Sequence, residues 1–150
     1  VGVTGTHAKT SVVETAAALL LRAGKSVAIL TTDGMMCGER FVPFAGRAPD
    51  AEDIWQFLCL ARQARAEFAV IEFSSYMLAQ RLHASIPFAA VLLTDYVPHH
   101  IGTVHADELA YRSNGETLAS PDAMSNCAPY GIIPCMKHDV VSIKLAARRG

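Results

Sequence analysis

The residues best suited to chemistry stand at the start of the chain, in Gly2-Val3-Thr4-Gly5-Thr6-His7-Ala8-Lys9-Thr10-Ser11. A short apolar run enters this segment and an apolar run with helical spacing leaves it, which is the setting a phosphate-binding loop needs. Backbone N–H groups across Gly5, Thr6, His7, Ala8, Lys9, Thr10 and Ser11 can ring phosphate oxygens at the turn and the helix start. Lys9 adds a point charge suited to β- and γ-phosphates, and the Thr10 hydroxyl is a hard oxygen able to hold Mg2+. The common spacing G-x-x-x-x-G-K-[ST] is met loosely: Ala8 takes the second glycine's place, and five residues rather than four separate it from Gly2. A negative φ at Ala8 would be harmless, whereas a positive φ would cost about 1 kcal/mol or more. The competing reading is a strand-to-helix turn that binds nothing; Lys9-Thr10 at the helix start weighs against it. Glu72 closes another apolar run, where open α/β sheets gather ligand groups, and its carboxylate suits Mg2+. A glutamate at a strand end beside a cation is the plainer alternative. His99 and His100 read by themselves as a solvated pair.

These residues must be positioned by alternating strands and helices. Val1–Thr4 predicts a strand and Thr10–Ala23 a helix, with Val12, Val13, Ala16, Leu19 and Leu20 on one face and Gly24 as its stop. Val27–Thr31 predicts a strand covered on both faces. Residues 33–49 are turn-rich, with a weak hairpin signal. Asp50 caps a helix over Ala51–Arg65, on which Ile54, Leu58 and Ala61 share a face. Phe68–Phe73 is a third strand, Ser75–Leu82 a short helix and Phe88–Thr94 a fourth strand. Asp95–Ala106 is a loop, and Asp107–Leu118 is helical in pattern but weakened by Asn114 and Gly115. Residues 120–130 read as irregular, Ile132–Ile133 as a fifth strand and Val140–Arg149 as a basic helix. The order predicts one α/β domain over residues 1–150, a mostly parallel sheet with helices on both faces.

Composition narrows the function classes. Of 150 residues, 51% are apolar and 18% charged, which excludes a disordered tail or a coiled coil. A net charge of −1 offers no basic excess for nucleic acid. No apolar run reaches the ~20 residues of a membrane span, and no signal peptide is expected ahead of the strand-like Val1. Cys37, Cys59, Cys127 and Cys135 form no C-x-x-C pair, so reduced thiols in a cytoplasmic protein are expected. Nothing in the sequence indicates an oligomeric state.

Four blocks in the same order resemble the Mur ligases. Gly2–Ser11 resembles their ATP loop, G-[VI]-T-G-T-[NK]-G-K-[ST]-[ST]. Arg47-Ala48-Pro49-Asp50-Ala51-Glu52-Asp53-Ile54 is similar to T-T-P-D-A-x-D-L of the UDP-N-acetylmuramoyl-tripeptide synthetase branch. Ile71-Glu72-Phe73-Ser74-Ser75-Tyr76 through Gln80-Arg81 resembles E-V-S-S-H-x-L-x-x-x-R, and Phe88 through His100 resembles F-x-x-A-V-F-T-N-x-x-x-D-H. The resemblance implies the central, P-loop NTPase-like domain of an ATP-dependent amide ligase of peptidoglycan synthesis. It also implies that the chain is a fragment without the family's substrate and amino-acid domains. The cofactors it implies are ATP and Mg2+; the partners are nucleotide and a UDP-muropeptide-like substrate. By the same resemblance Lys9 and His100 are catalytic; Thr10, Glu72 and His100 hold metal; and Ser74, Ser75 and Arg81 lie near the acceptor substrate.

The chain departs from the family at functional positions. Ala8 replaces the loop glycine, Arg47-Ala48 the Thr-Thr pair, Asp95 an asparagine and His99 an aspartate. Asn114 stands where most members carry a carbamylated lysine, and residues 132–137 lack the nucleotide-contacting N-A-D-D. His105 falls one place off a later family histidine and receives no role. An alternative therefore stands beside the ligase: a degenerate domain that keeps the fold and weak nucleotide binding without ligation.

Overall fold

The computed structural model describes residues 1–118 and the backbone of residues 133–134. The strands are β1 (Gly2–Thr4), β2 (Val27–Leu30), β3 (Gly34–Cys37), β4 (Arg40–Pro43), β5 (Phe68–Glu72), β6 (Val91–Leu93) and β7 (Ile133–Pro134). The helices are α1 (Lys9–Arg22), α2 (Ala51–Gln63), α3 (Ser75–Ala79) and α4 (Glu108–Leu118). They form one sheet in the order β4-β3-β2-β5-β1-β6-β7. From β2 to β7 every pairing is parallel, while β3 and β4 add an antiparallel edge.

Both faces of the parallel part are covered, as predicted. Val3, Val70, Val27 and Ile29 pack with Val13 of α1 on one face. Ala28, Leu30, Ile71 and Val91 point the other way, against Ile54, Phe57 and Ala61 of α2, Met77 and Leu78 of α3, and Leu118 of α4. The split follows the two-residue period of each strand. Phe57, Phe73 and Phe88 are its largest fully buried side chains, and Phe73 and Phe88 meet edge to face at 5.5 Å.

Local chemistry explains the boundaries. At the end of α1, Gly24 takes φ +76°. Its N–H donates to Leu21 O and that of Lys25 to Leu20 O, the paired bonds of a Schellman stop. The weak hairpin signal is a real hairpin. Gly38 has φ +64°, as the first central position of a two-residue II′ turn demands, and a Cβ on Gly34 would lie 2.5 Å from Val42 O. The predicted helix over Ser75–Leu82 ends early, at Ala79, and the strand over Phe88–Thr94 shortens to Val91–Leu93. The strand predicted at Ile132–Ile133 appears one residue later. The predicted irregular stretch at 120–130 and the helix over Val140–Arg149 lie outside the described residues. Cys37 and Cys59 are free thiols, and burial pushes the Cys37 thiol pKa up against the opposing charge of Arg40. Among the described residues no helix is long and apolar enough to cross a membrane.

Asp50 and Asp53 close a reciprocal capping box on α2: Asp53 N–H donates to Asp50 Oδ1 at 3.0 Å and Asp50 N–H to Asp53 Oδ2 at 2.9 Å. Arg47 grips the same Asp53 carboxylate, with Nη2 at 2.6 Å from Oδ1. The Arg47 hydrogen bond holds the Asp53 carboxyl below its ordinary pKa against the opposing effect of burial, helped by the Asp50 amide. The folded state thus favours ionised Asp53, and this stability is fully present above the ordinary value of 3.8 and lost as pH falls through the lower folded value. Asp53→Asn should cost about 1–3 kcal/mol in urea unfolding at pH 7. It should also flatten the acid limb of stability below pH ~4; an unchanged acid limb would show that Asp53 is not its source.

Candidate functional site

The topology makes a crevice before any side chain is considered. From β1 the chain passes through α1 to β2 on one side; from β5 it passes through α3 to β6 on the other. Right-handed crossovers in opposite directions lie on opposite faces, so the chain parts at the C-terminal ends of the neighbouring strands β1 and β5. The segment after β1 and Glu72, the last residue of β5, meet there. Thr10 Oγ1 donates to Glu72 Oε2 at 2.8 Å, and Thr32 N–H reaches the same oxygen at 3.4 Å. Glu72 is 3% exposed, and among the described residues no basic group forms an ion pair with it.

The loop between β1 and α1 is tightly determined. Gly5 has φ +135°, and a Cβ there would run into Thr94 Oγ1 and the Asp95 backbone, so only glycine fits. Ala8 has φ +58° and ψ +14°, the left-handed conformation that is the costlier one for a residue with a Cβ. Ala8 makes no side-chain cap, and its carbonyl accepts from Val12 N–H at 2.9 Å. Lys9 Nζ folds back to Thr6 O at 3.0 Å.

Asp95, in the segment after β6, engages this loop. Its Oδ1 accepts from Thr6 N–H at 2.7 Å and His7 N–H at 2.9 Å, while Oδ2 lies 2.7 Å from His7 Nδ1. Burial works against the Asp95 charge, but the bonds from His7 and Thr6 outweigh it and hold the carboxyl below its usual pKa. Thr94 Oγ1 donates to His7 O at 2.7 Å. Thr6 Oγ1 donates to Val97 O at 2.6 Å, so in its 2.6 Å contact with Tyr111 the phenol is the donor. Thr32, Thr94 and Tyr111 carry no signal in the sequence that would mark them; each is assigned by its neighbour in space.

The remaining candidates are more dispersed. Ser74 Oγ accepts from Met77 N–H at 3.3 Å and so caps α3. Ser75 lines a small cleft with Thr4, Gly5, Asp95, Tyr111 and Asn114. Arg81 is exposed, with φ +57°. His100 is exposed in the segment after β6, its ring 4.1 Å from that of His99, and among the described residues no hydrogen bond joins it to Thr10 or Glu72. Asn114, half-buried on α4, donates from Nδ2 to His105 Nδ1 at 3.1 Å. His105, given no role from sequence, is 2% exposed, and burial, followed by the His100 charge, lowers its pKa. Lys9, Thr10, Glu72 and Asp95 thus gather around the one loop that holds Ala8, whereas Arg81 lies exposed in the turn after α3 and His100 exposed in the segment after β6.

The family described as Mur ligase middle domain matches residues 3–120. A UDP-N-acetylmuramoyl-L-alanyl-D-glutamate--2,6-diaminopimelate ligase of Helicobacter hepaticus is 32% identical over 102 residues, 67% of this chain and 22% of the relative. A UDP-N-acetylmuramyl-tripeptide synthetase of Tropheryma whipplei is 32% identical over 136 residues, 87% of this chain and 26% of the relative. A solved structure of a UDP-N-acetylmuramoyl-L-alanyl-D-glutamate--2,6-diaminopimelate ligase superposes with a TM-score of 0.67 at 22% identity, over 82% of this chain and 24% of that one.

The left-handed Ala8 gives the loop a measurable strain. Ala8→Gly should stabilise the fold by up to about 1 kcal/mol, less whatever the more flexible unfolded chain takes back. At this chain length the gain is read as a rise in Tm of up to about 2–4 °C. A fall in Tm would show that Ala8 is not strained.

Proposed function

This chain belongs to the Mur ligase family, as its middle domain, and from that premise we propose that it is the nucleotide-binding part of an ATP-dependent ligase of peptidoglycan precursor synthesis. The chain spans 22–26% of the length of the curated relatives described above, so ligation is proposed for the whole protein to which such a domain belongs. The observation that carries the reading is Glu72: a carboxylate 3% exposed, without an ion pair among the described residues, hydrogen-bonded to Thr10 beside a lysine-bearing loop. A buried charge is costly unless it is paired or binds a metal. Glu72 and Thr10 offer the hard oxygens that Mg2+ prefers, so the residues present fit the ion.

On this reading the amides of Gly5–Ser11 cradle the phosphates of ATP, and Lys9 leaves Thr6 O to meet the β- and γ-phosphates. Thr10 and Glu72 would hold Mg2+, with His100 proposed for a second ion; bound there, the metal supplies charge neutralisation on phosphate oxygens. The acceptor carboxylate, near Ser74, Ser75 and Arg81, attacks the γ-phosphorus and releases ADP. An amine then attacks the acyl phosphate carbon and expels inorganic phosphate. ATP as co-substrate implies work in the cytoplasm. A second reading, nucleotide binding without ligation, is favoured by Asn114: bonded as a neutral amide to His105, it cannot supply the negative charge of the carbamylated lysine that the family resemblance expects there.

Calorimetric titration with ATP and Mg2+ tests the site. Lys9→Ala should abolish measurable binding, and equal affinity in parent and variant would reject the phosphate loop. Glu72→Gln should remove most of the Mg2+ dependence of binding, about tenfold or more in affinity, for loss of one charged oxygen ligand. Unchanged Mg2+ dependence would reject Glu72 as a ligand.

A further inference from the structure

The loop already holds an anion, and it is the protein's own. Two successive amides, Thr6 N–H at 2.7 Å and His7 N–H at 2.9 Å, converge on Asp95 Oδ1, and the His7 ring meets Oδ2 at 2.7 Å. Successive N–H groups aimed at one oxygen form a nest that suits a carboxylate or a phosphate equally. We propose that Asp95 is an internal competitor for phosphate: its carboxylate takes the anion position made by the Thr6 and His7 amides, and a nucleotide engages that part of the loop only by displacing it. The proposal rests on the phosphate-loop reading given above.

Three features support competition over a purely structural strut. The Asp95 side chain is 33% exposed, so water can receive it when it swings out. Its backbone need not follow, because the preceding residue is anchored: Thr94 N–H donates to Thr4 O at 2.9 Å. A phosphate brought to the loop with Asp95 in place would also set two anions in contact, a repulsion strengthened by the partly desolvated crevice. Displacement exchanges one set of charge-assisted hydrogen bonds for another. The net affinity then depends on how much charge the ligand brings, and Asp95 sets a threshold that triphosphates pass more easily than monophosphates.

The test is calorimetric titration of the parent, Asp95→Asn and Asp95→Ala with MgATP and, separately, with inorganic tripolyphosphate; Lys9→Ala serves as the control and a thermal melt checks folding. Both Asp95 variants should bind each ligand about tenfold or more tightly than the parent, a change of ~1.4 kcal/mol. If both variants bind no better than a parent whose binding still depends on Lys9, Asp95 is a strut and the proposal falls while the phosphate loop stands. If neither parent nor variants bind, both fall. Should the variants fail to fold, amide NMR of the parent decides. The Thr6 and His7 resonances must move as tripolyphosphate saturates the chain, and a saturated loop with both amides unmoved overturns the competition.

Discussion

The site depends on β1 being hydrogen-bonded between β5 and β6, both parallel to it. A parallel sheet requires each chain connection to cross a face, and crossovers of one hand leave on opposite faces when they step in opposite directions. Here α1 leaves β1 one way and α3 leaves β5 the other, so their start points face each other with no helix between them. Glu72 and Asp95 then stand on either flank of the β1 loop, at the ends of its two neighbours. The apolar layers do no more than hold this arrangement, but they hold it firmly: Val3, Val13 and Val70 on one face and Phe57, Phe73 and Phe88 on the other are almost wholly buried.

The close approach of the loop to the segment after β6 follows from the same pairing. Gly5 has no side chain because Thr94 and Asp95 fill that space, and the loop in turn offers its amides to the nearest acceptor. The two carboxylates flanking the loop differ in their partners. Asp95 is held by two amides and an imidazole, whereas Glu72 has one hydroxyl and one long amide contact and is more deeply buried. One acid is satisfied by the protein itself; the other is more deeply buried and has fewer partners. Lys9, bonded to a neutral carbonyl, keeps its charge free for a stronger acceptor.

Periodicity and turn chemistry, both local, made most of the fold legible. The alternation of strand and helix, the Asp50 cap, the Gly24 stop and the two-faced apolar runs each depend on residues a few positions apart, and each appears in the structure. Short elements were less legible, because tertiary pairing decides their ends: α3 stops at Ala79, and β6 keeps only the residues that pair with β1. The hairpin of β3 and β4 was faint because its strands are only four residues each, with Gly34 in one and Pro43 in the other, and β3 is held as a strand by its pairing with β2.

At the site, the sequence by itself determined which groups were available: a Gly-Thr turn with Lys9-Thr10 at a helix start, an acid at a strand end, and an aspartate where an asparagine was expected. It also posed the question of Ala8 without answering it. Only the tertiary structure decided that Ala8 has φ +58°, that Thr10 and Glu72, 62 positions apart, share a hydrogen bond, and that the Asp95 carboxylate lies on the loop amides 88 and 89 positions away. The physical reason is one of range. Helix and strand patterns are set by neighbours along the chain, whereas the partner of a backbone N–H in a loop is whichever acceptor the sheet order brings within 3 Å.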